Sequence, residues 1–147
     1  MTLKAQISED MKSAMRAKES TRLGTIRLLQ AAMKQREVDE RIELSDADVI
    51  SIIEKMLKQR RDSIAAYESA KRDDLADVEK AEVLVLQAYL PKQLTEEEVA
   101  ALLEKVVADT GATSMKDMGK VMAAIKPLVA GKADMGKISG LIKARLA

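Results

Sequence analysis

The sequence contains no cysteine, no histidine, no phenylalanine and no tryptophan. Without cysteine there is no disulfide framework, and without cysteine and histidine the thiolate nucleophiles, the histidine bases and the common zinc sites are excluded. With only two tyrosines, the chain has no aromatic platform on which unpaired bases could stack. These absences predict a protein without a catalytic residue, a metal site or a cofactor, and they argue against recognition of single-stranded nucleic acid.

Long apolar runs are also missing, because no stretch approaches the roughly 20 residues that a membrane-spanning helix needs. The first residues, Met1–Gln6, contain no signal-like apolar run. Together with the lack of cysteine, these features predict a cytoplasmic protein with no membrane partner. One third of the residues are charged and 47% are hydrophobic, which is typical of a folded protein.

Proline and glycine are scarce, and one proline divides the chain. Pro91 has no backbone N–H to donate and disfavours helical angles at Leu90. On both sides of it the apolar residues follow helical three-and-four spacing, and no strand alternation is present. We therefore predict an all-α protein with a four-helix domain over residues 1–90, a hinge over 91–94 and a small three-helix domain over 95–147.

Short polar motifs precede the apolar stripes and predict where the helices begin. In chain order they are Thr2, Ser20-Thr21, Ser45 with Asp48, Asp73-Asp74, Thr95 with Glu98, and Ser114 with Asp117. Gly111 and Gly131 are candidate helix ends. The fourth helix has Val78 in its stripe, and its second half, Val83–Leu90, is apolar nearly all round, which predicts a central position.

Positive charge is concentrated from Met115 onwards, where seven Lys/Arg face two aspartates in a chain whose net charge is +1. Two apolar stripes, which include Leu128 and Leu141, predict two amphipathic helices in this stretch. The candidate contact residues belong to the same stretch: Lys116, Lys120, Lys126, Lys132, Lys137 and Lys143, with Gly119, Gly136 and Gly140.

Glycine inside a helix costs about 1 kcal/mol relative to alanine. Glycines on solvent faces beside lysines therefore indicate a surface that something approaches closely. A phosphate backbone fits, with the six lysines as RNA-binding residues and the three glycines as close-approach points. A partner helix on the strip Gly136, Gly140 and Ala144 fits as well. The plain alternative is that the lysines are the solvated faces of two amphipathic helices.

The most specific motif in the chain is DMGKVMAAIKPLVAGKAD, residues 117–134, preceded by YLPKQLTEEE, residues 89–98. These motifs resemble the GatB/YqeY family, which comprises small stand-alone proteins and the tail of the B subunit of the tRNA-dependent amidotransferase. The stretches DMKSAMRAKESTRLGTIRLLQAA, residues 10–32, and LKQRRDSIAAY, residues 57–67, are similar to the stand-alone members. The resemblance covers the whole chain.

The resemblance implies an all-helical, two-part protein whose tail region serves tRNA binding, without a complete active site. Our first hypothesis is therefore a non-catalytic tRNA-binding accessory module. A protein–protein adaptor without RNA is the alternative. Participation in amide transfer, as a carbon–nitrogen ligase with glutamine as the amido donor, is implied only by family association. A further basic cluster, Lys58–Arg61, is predicted to be either a binding site or a solvated helix face.

Overall fold

The computed structural model describes all 147 residues as seven α-helices with no strand, so the prediction of an all-α fold is confirmed. The helices are α1 (Leu3–Arg16), α2 (Ser20–Glu40), α3 (Asp46–Ser69), α4 (Asp73–Gln87), α5 (Glu96–Thr110), α6 (Met118–Val129) and α7 (Met135–Leu146), with a short 3-10 helix over Met115–Asp117. Contacts group the chain into two compact units, Met1–Leu90 and Pro91–Ala147. None of the helices is both long and apolar enough to cross a membrane.

Three of the start motifs cap helices as predicted. The Thr2 hydroxyl accepts the N–H of Ala5 at 3.1 Å. Ser45 and Asp48 form a reciprocal capping box, in which each side chain accepts the backbone N–H of the other residue. The Thr95 hydroxyl accepts the N–H of Glu98 at 3.1 Å. Each of these bonds satisfies a donor that the first turn of a helix would otherwise leave free.

The other start motifs lie at helix starts but do not cap them. α2 begins at Ser20 and α4 at Asp73, and neither helix has a side-chain cap bond. Asp73 and Asp74 lie inside the first turn of α4, where their charge favours the helix dipole. Ser114 makes no cap bond either, because the carboxylate of Asp117 accepts the N–H of Thr113 at 2.9 Å and holds this turn instead.

The predicted helix ends are largely correct. Gly111 and Gly131 follow α5 and α6 with φ angles of +68° and +72°, which an L side chain rarely adopts. α4 ends at Gln87 rather than at Leu90, and two turn-like hydrogen bonds carry the chain on to Pro91. Pro127 does not interrupt α6, because it lies in the last turn, where few backbone bonds depend on it.

The first unit has its core where α3 lies against α4 and where α2 contacts α1, α3 and α4. The side chains that fill it include Ile7, Ile26, Leu29, Ile53 and Leu86, all without exposed surface. An ion pair between Arg60 and Glu82, at 2.9 Å, joins α3 to α4, and these side chains are only 15% and 17% exposed. The basic cluster Lys58–Arg61 is therefore partly structural.

The second unit is organised around α6, which contacts both α5 and α7. Val121, Ile125 and Val129 of α6 are fully buried, and they form one core with apolar residues of the two flanking helices. The residues after Pro91 are bound to the turn after α6: Leu94 donates its N–H to the carbonyl of Lys132 at 2.8 Å.

Four residues that the apolar pattern places in the core are exposed. Val78 and Leu84 of α4 are 57% and 70% exposed, and Leu128 and Leu141 of the second unit are 44% and 45% exposed. The prediction of a central second half of α4 is therefore wrong for Leu84. Val78, Leu128 and Leu141 lie at the edges of stripes that are wider than the surface covered by neighbouring helices of the same unit. Leu84 lies on the side of α4 opposite the buried Leu86.

Tyr89 gives the first unit a dependence on alkaline pH. Its side chain is 7% exposed, and its hydroxyl donates to a carboxylate oxygen of Asp10 at 2.6 Å. Burial and this hydrogen bond raise the pKa of Tyr89 well above its usual value. Folding therefore favours the protonated phenol, and that contribution is complete below pH ~10 and lost as pH rises further.

We expect Tyr89→Phe to lower the free energy of unfolding by about 1.5 kcal/mol at pH 8, the value of a hydrogen bond to a charged group. The difference between the two proteins should shrink as the pH is raised above ~10. Urea unfolding of both proteins between pH 8 and 11 measures it. A difference that stays constant over this range would show that the Tyr89 proton is not linked to folding.

Candidate nucleic-acid interface

The six candidate lysines are all exposed, and they lie on three successive helices of the second unit and on the turn between the last two. Lys116 is in the 3-10 helix, Lys120 and Lys126 are on α6, Lys132 is in the turn after it, and Lys137 and Lys143 are on α7. The turn has a fixed backbone, because Lys132 donates its N–H to Val129 at 2.8 Å and its carbonyl accepts from Leu94. The lysine side chains thus extend from a rigid scaffold.

None of these six ammonium groups forms an ion pair within the chain. Lys120 makes one long hydrogen bond, 3.5 Å, to the carbonyl of Thr110. Arg145 differs, because it binds Glu104 at 2.6 Å and this pairing lowers the pKa of the Glu104 carboxyl. The free positive charge of the second unit's last two helices therefore belongs to the lysines, and most of it is available to an anionic partner.

The helices do not bring all six lysines to one line. Lys120 and Lys126 are six residues apart on α6, and Lys137 and Lys143 are six residues apart on α7. At ~100° per residue, each pair is separated by about 120° around its helix. One phosphate chain following one face would therefore meet some of the lysines and pass others.

The three candidate glycines are exposed, and nothing in the chain requires them to be glycine. A Cβ atom added to Gly119 or Gly140 would have no neighbour within 4 Å, and one added to Gly136 would have only the side chain of Asp134, at 3.4 Å. None of them has a positive φ angle. Their cost in helix propensity is thus not offset by packing inside the second unit.

An apolar groove between α5 and α7 is the feature that sequence reasoning missed. It has a volume of about 460 Å³, and its lining includes Leu103, Lys137, Gly140 and Leu141. Leu141 is exposed because its side chain lies along the wall of this groove. A groove between helices that do not follow each other in sequence leaves no periodic signal, so the apolar pattern alone could not reveal it.

Side chains suited to metal binding are not brought together: the structure has no group of three or more acidic, histidine or cysteine residues that could hold a metal ion. Two carboxylates of α4 are engaged with cations, Glu82 with Arg60 at 2.9 Å and Asp74 with Arg72 at 3.2 Å. The hydrogen-bonded ion pair with Arg72 lowers the pKa of Asp74.

Comparison with known proteins matches residues 4–146 to the model of the Yqey-like protein family. The chain belongs to this family. This assignment confirms the family resemblance drawn from the sequence motifs. The match to the Yqey-like family model extends over both units of this helical chain.

Three fungal relatives carry the name altered inheritance of mitochondria protein 41, mitochondrial. The protein of Pyrenophora tritici-repentis is 33% identical over 126 residues, which are 82% of this chain and 70% of that protein. The protein of Kluyveromyces lactis is 35% identical over 71% of this chain. That of Eremothecium gossypii is 39% identical over 58% of it. The aligned part is 58% of the Kluyveromyces protein and 48% of the Eremothecium protein.

The prediction of a cytoplasmic location is wrong by this comparison, since the relatives of this Yqey-like protein are named as mitochondrial. The expectation rested on the absence of cysteine and of a signal-like apolar run in Met1–Gln6. Mitochondrial targeting segments are amphipathic and rich in arginine, so the missing apolar run does not distinguish cytoplasm from mitochondrion.

Proposed function

We propose that this Yqey-like protein is a non-catalytic accessory module that binds folded tRNA through its second unit. The observation that carries the proposal is the set of six exposed lysines without ion pairs on a rigid helical scaffold. Lysines that are not neutralised within the chain can replace the counterions of phosphates, which supplies most of the affinity of nonspecific nucleic-acid binding.

A folded RNA suits this surface better than a single strand. The second unit contains no tyrosine, phenylalanine or tryptophan, so it has no ring on which a base could stack. Phosphates held at fixed spacing by a folded RNA can meet several lysines at once, whereas a flexible strand must be ordered first. The open space at Gly119 and Gly140 allows the backbone of α6 and α7 to come close to the RNA.

A salt titration tests the proposal. If five lysines contact phosphates, the logarithm of the tRNA affinity should fall against the logarithm of the salt concentration with a slope of roughly −3.5 to −4.5, taking about 0.7 to 0.9 per contact. Electrophoretic or fluorescence titrations at several salt concentrations give this slope. No binding at low salt would refute the tRNA function.

We further propose that the two units are independent domains, of four and three helices, joined by a hinge over residues 91–94. Each unit has its own hydrophobic core. A fragment from Lys92 to Ala147 is therefore expected to be helical by circular dichroism, with marginal stability because it has fewer than about 60 residues. A random-coil spectrum at low temperature would mean that the fragment depends on the first ninety residues.

A protein–protein adaptor is the second candidate, and the groove between α5 and α7 favours it. Gly140 lines this groove, and a side chain there would fill open space. Gly140→Leu is therefore expected to disturb a helix in the groove and an RNA on α7 alike. Lys116→Ala with Lys120→Ala should weaken only RNA binding, because neither lysine lines the groove. If this double variant binds RNA as the wild type does, the basic face is a solvated surface.

Participation in amide transfer is supported only by family association. The chain has neither a cysteine nor a histidine to serve as nucleophile or base. A glutamine-dependent transfer that uses a cysteine nucleophile or a histidine base would therefore take those residues from another chain.

A further inference from the structure

A second apolar stripe runs along the solvent side of α2. The core side of this helix is formed by Ile26, Leu29 and Met33, which are buried. On the opposite side, five exposed residues recur at alternating spacings of four and three: Gly24, Leu28, Ala31, Gln35 and Val38. At ~100° per residue, they lie within an arc of about 80°. We call these five residues the outer stripe.

The outer stripe has the spacing of a coiled-coil seam and no partner. Leu28 and Val38 are 51% and 64% exposed, and Ile42, just after the end of α2, is 41% exposed. A single exposed leucine would need no explanation, but Leu28, Ala31 and Val38 are apolar residues at the spacing of a seven-residue repeat, which is the pattern of a helix that packs against another helix. A side chain at Gly24 would meet nothing within 4 Å, so the chain itself does not require this glycine.

One edge of the outer stripe is basic. Arg27 and Lys34 are seven residues apart on this edge, and Arg41 follows at the end of the helix. All three are exposed, and none forms an ion pair within the chain. In a coiled coil, residues that flank the seam at seven-residue spacing select the charge of the partner helix.

The other edge is open and differs in charge. Ala32 and Asp39 border a groove of about 660 Å³ between α2 and α3, whose lining also includes Gln35, Ile52 and Lys55. A helix bound to the outer stripe could also cover this groove. Asp39 accepts a hydrogen bond from Gln35 at 2.9 Å, which holds the polar member of the stripe in place.

We propose that the outer stripe binds an amphipathic helix of a partner protein, with acidic residues along one flank of its apolar seam. The seam would lie on Leu28, Ala31 and Val38, with Gly24 allowing close approach at one end. The acidic flank would face the basic edge. Complementary charge on this edge fixes the orientation of the helix and rejects basic helices.

Charge argues against a second copy of this chain as the occupant. In an antiparallel pair of α2 helices, the basic edge of one copy would face the basic edge of the other. In a parallel pair, Lys34 would meet Asp39 of the other copy, but Arg27 would meet Ala32. An anionic membrane is disfavoured as well, since a helix on a membrane surface has basic residues at both edges of its apolar face, and here Asp39 lies on one of them.

Binding of a synthetic peptide to the full chain tests the proposal. The probe is a helical peptide of about three heptads with leucine in its seam, glutamate along one flank and glutamine along the other, and the control peptide has lysine in place of glutamate. Fluorescence anisotropy should show saturable binding of the glutamate peptide alone. Leu28→Glu with Val38→Glu should weaken it about tenfold or more, because the seam residues supply the buried anchors.

Two further variants test whether binding depends on the outer stripe and on its basic edge. Val78→Glu with Leu84→Glu changes two equally exposed apolar residues on α4 and should leave binding within about twofold of the wild type. Arg27→Glu with Lys34→Glu should transfer the preference from the glutamate peptide to the lysine peptide. All these side chains are exposed, so circular dichroism should report unchanged folds.

Several results would overturn the proposal. Equal binding of both peptides, no binding of the glutamate peptide, or an equal loss in the α4 variant would each show that the outer stripe does not select an acidic helix. A wild-type dimer that Leu28→Glu with Val38→Glu dissociates in sedimentation would assign the stripe to a second copy. Loss of binding to vesicles of phosphatidylcholine and phosphatidylserine in that variant would assign it to a membrane.

Discussion

Replacement of Lys116, Lys120 and Lys137 by glutamine is expected to weaken tRNA binding about 100-fold at 0.1 M salt. Each phosphate contact contributes a slope of about 0.7 to 0.9, so it raises the tRNA affinity by a factor of about 5 to 8 when the salt concentration falls from 1 M to 0.1 M. Loss of three contacts therefore lowers the affinity at 0.1 M salt by a factor of more than about 100. The slope of the salt dependence should become less steep by roughly 2 to 2.7. Since these lysines are exposed and form no ion pair, the fold should be unaffected.

The matched control removes the same number of positive charges from the first unit. Lys34, Lys55 and Lys58 are also exposed, have no ion pair and lie on α2 and α3 of the first unit. Their replacement by glutamine should change tRNA affinity by less than about threefold. If both triple variants lose affinity equally, binding depends on the net charge of the protein and not on the surface of α6 and α7.

Replacement of Glu82 by leucine is expected to lower the free energy of unfolding by about 3 kcal/mol. Arg60 would then keep its charge in a site where its side chain is only 15% exposed. Removal of one member of a largely buried ion pair costs about 3 to 5 kcal/mol because the other charge is left uncompensated. Urea unfolding at pH 7, followed by circular dichroism, measures the loss.

Two controls test whether the loss of stability comes from the unpaired charge of Arg60 or from any substitution between α3 and α4. The double variant Arg60→Met with Glu82→Leu removes both charges and should recover most of the lost stability. Lys80→Met breaks an exposed ion pair with Glu68, whose side chains are 53% and 48% exposed, and should cost less than about 0.5 kcal/mol. Equal costs for Glu82→Leu and Lys80→Met would mean that burial of the Arg60–Glu82 pair does not matter.

Local features of the fold could be predicted from the sequence because they depend on a few neighbouring residues. The capping box of Ser45 and Asp48 spans four residues, and the left-handed turn at Gly111 depends on one. The same applies to the all-helical class, since three-and-four spacing is repeated in every helix. The predicted caps at Ser20 and Asp73 are one residue too late, because Glu19 and Arg72 occupy the N-cap positions, and neither of these side chains makes a cap hydrogen bond.

The long-range features could not be predicted in this way. Arg60 and Arg145 find their carboxylate partners 22 and 41 residues away, so the sequence does not show which cations are already neutralised. The six candidate lysines could be named from their position on polar helix faces, but their freedom from ion pairs depends on the packing. Leu141 belongs to the apolar stripe of α7, and Leu84 lies in a stretch that is apolar nearly all round, so only the positions of neighbouring helices show that both are exposed.

The most direct test of tRNA binding is a comparison of folded tRNA with an unstructured RNA of equal length at the same salt concentration. We expect the folded tRNA to bind more tightly, because preorganised phosphates meet several of the free lysines and no aromatic side chain of the second unit can capture an unpaired base. Equal affinity for the two RNAs, or no binding of either at low salt, would contradict the proposed function.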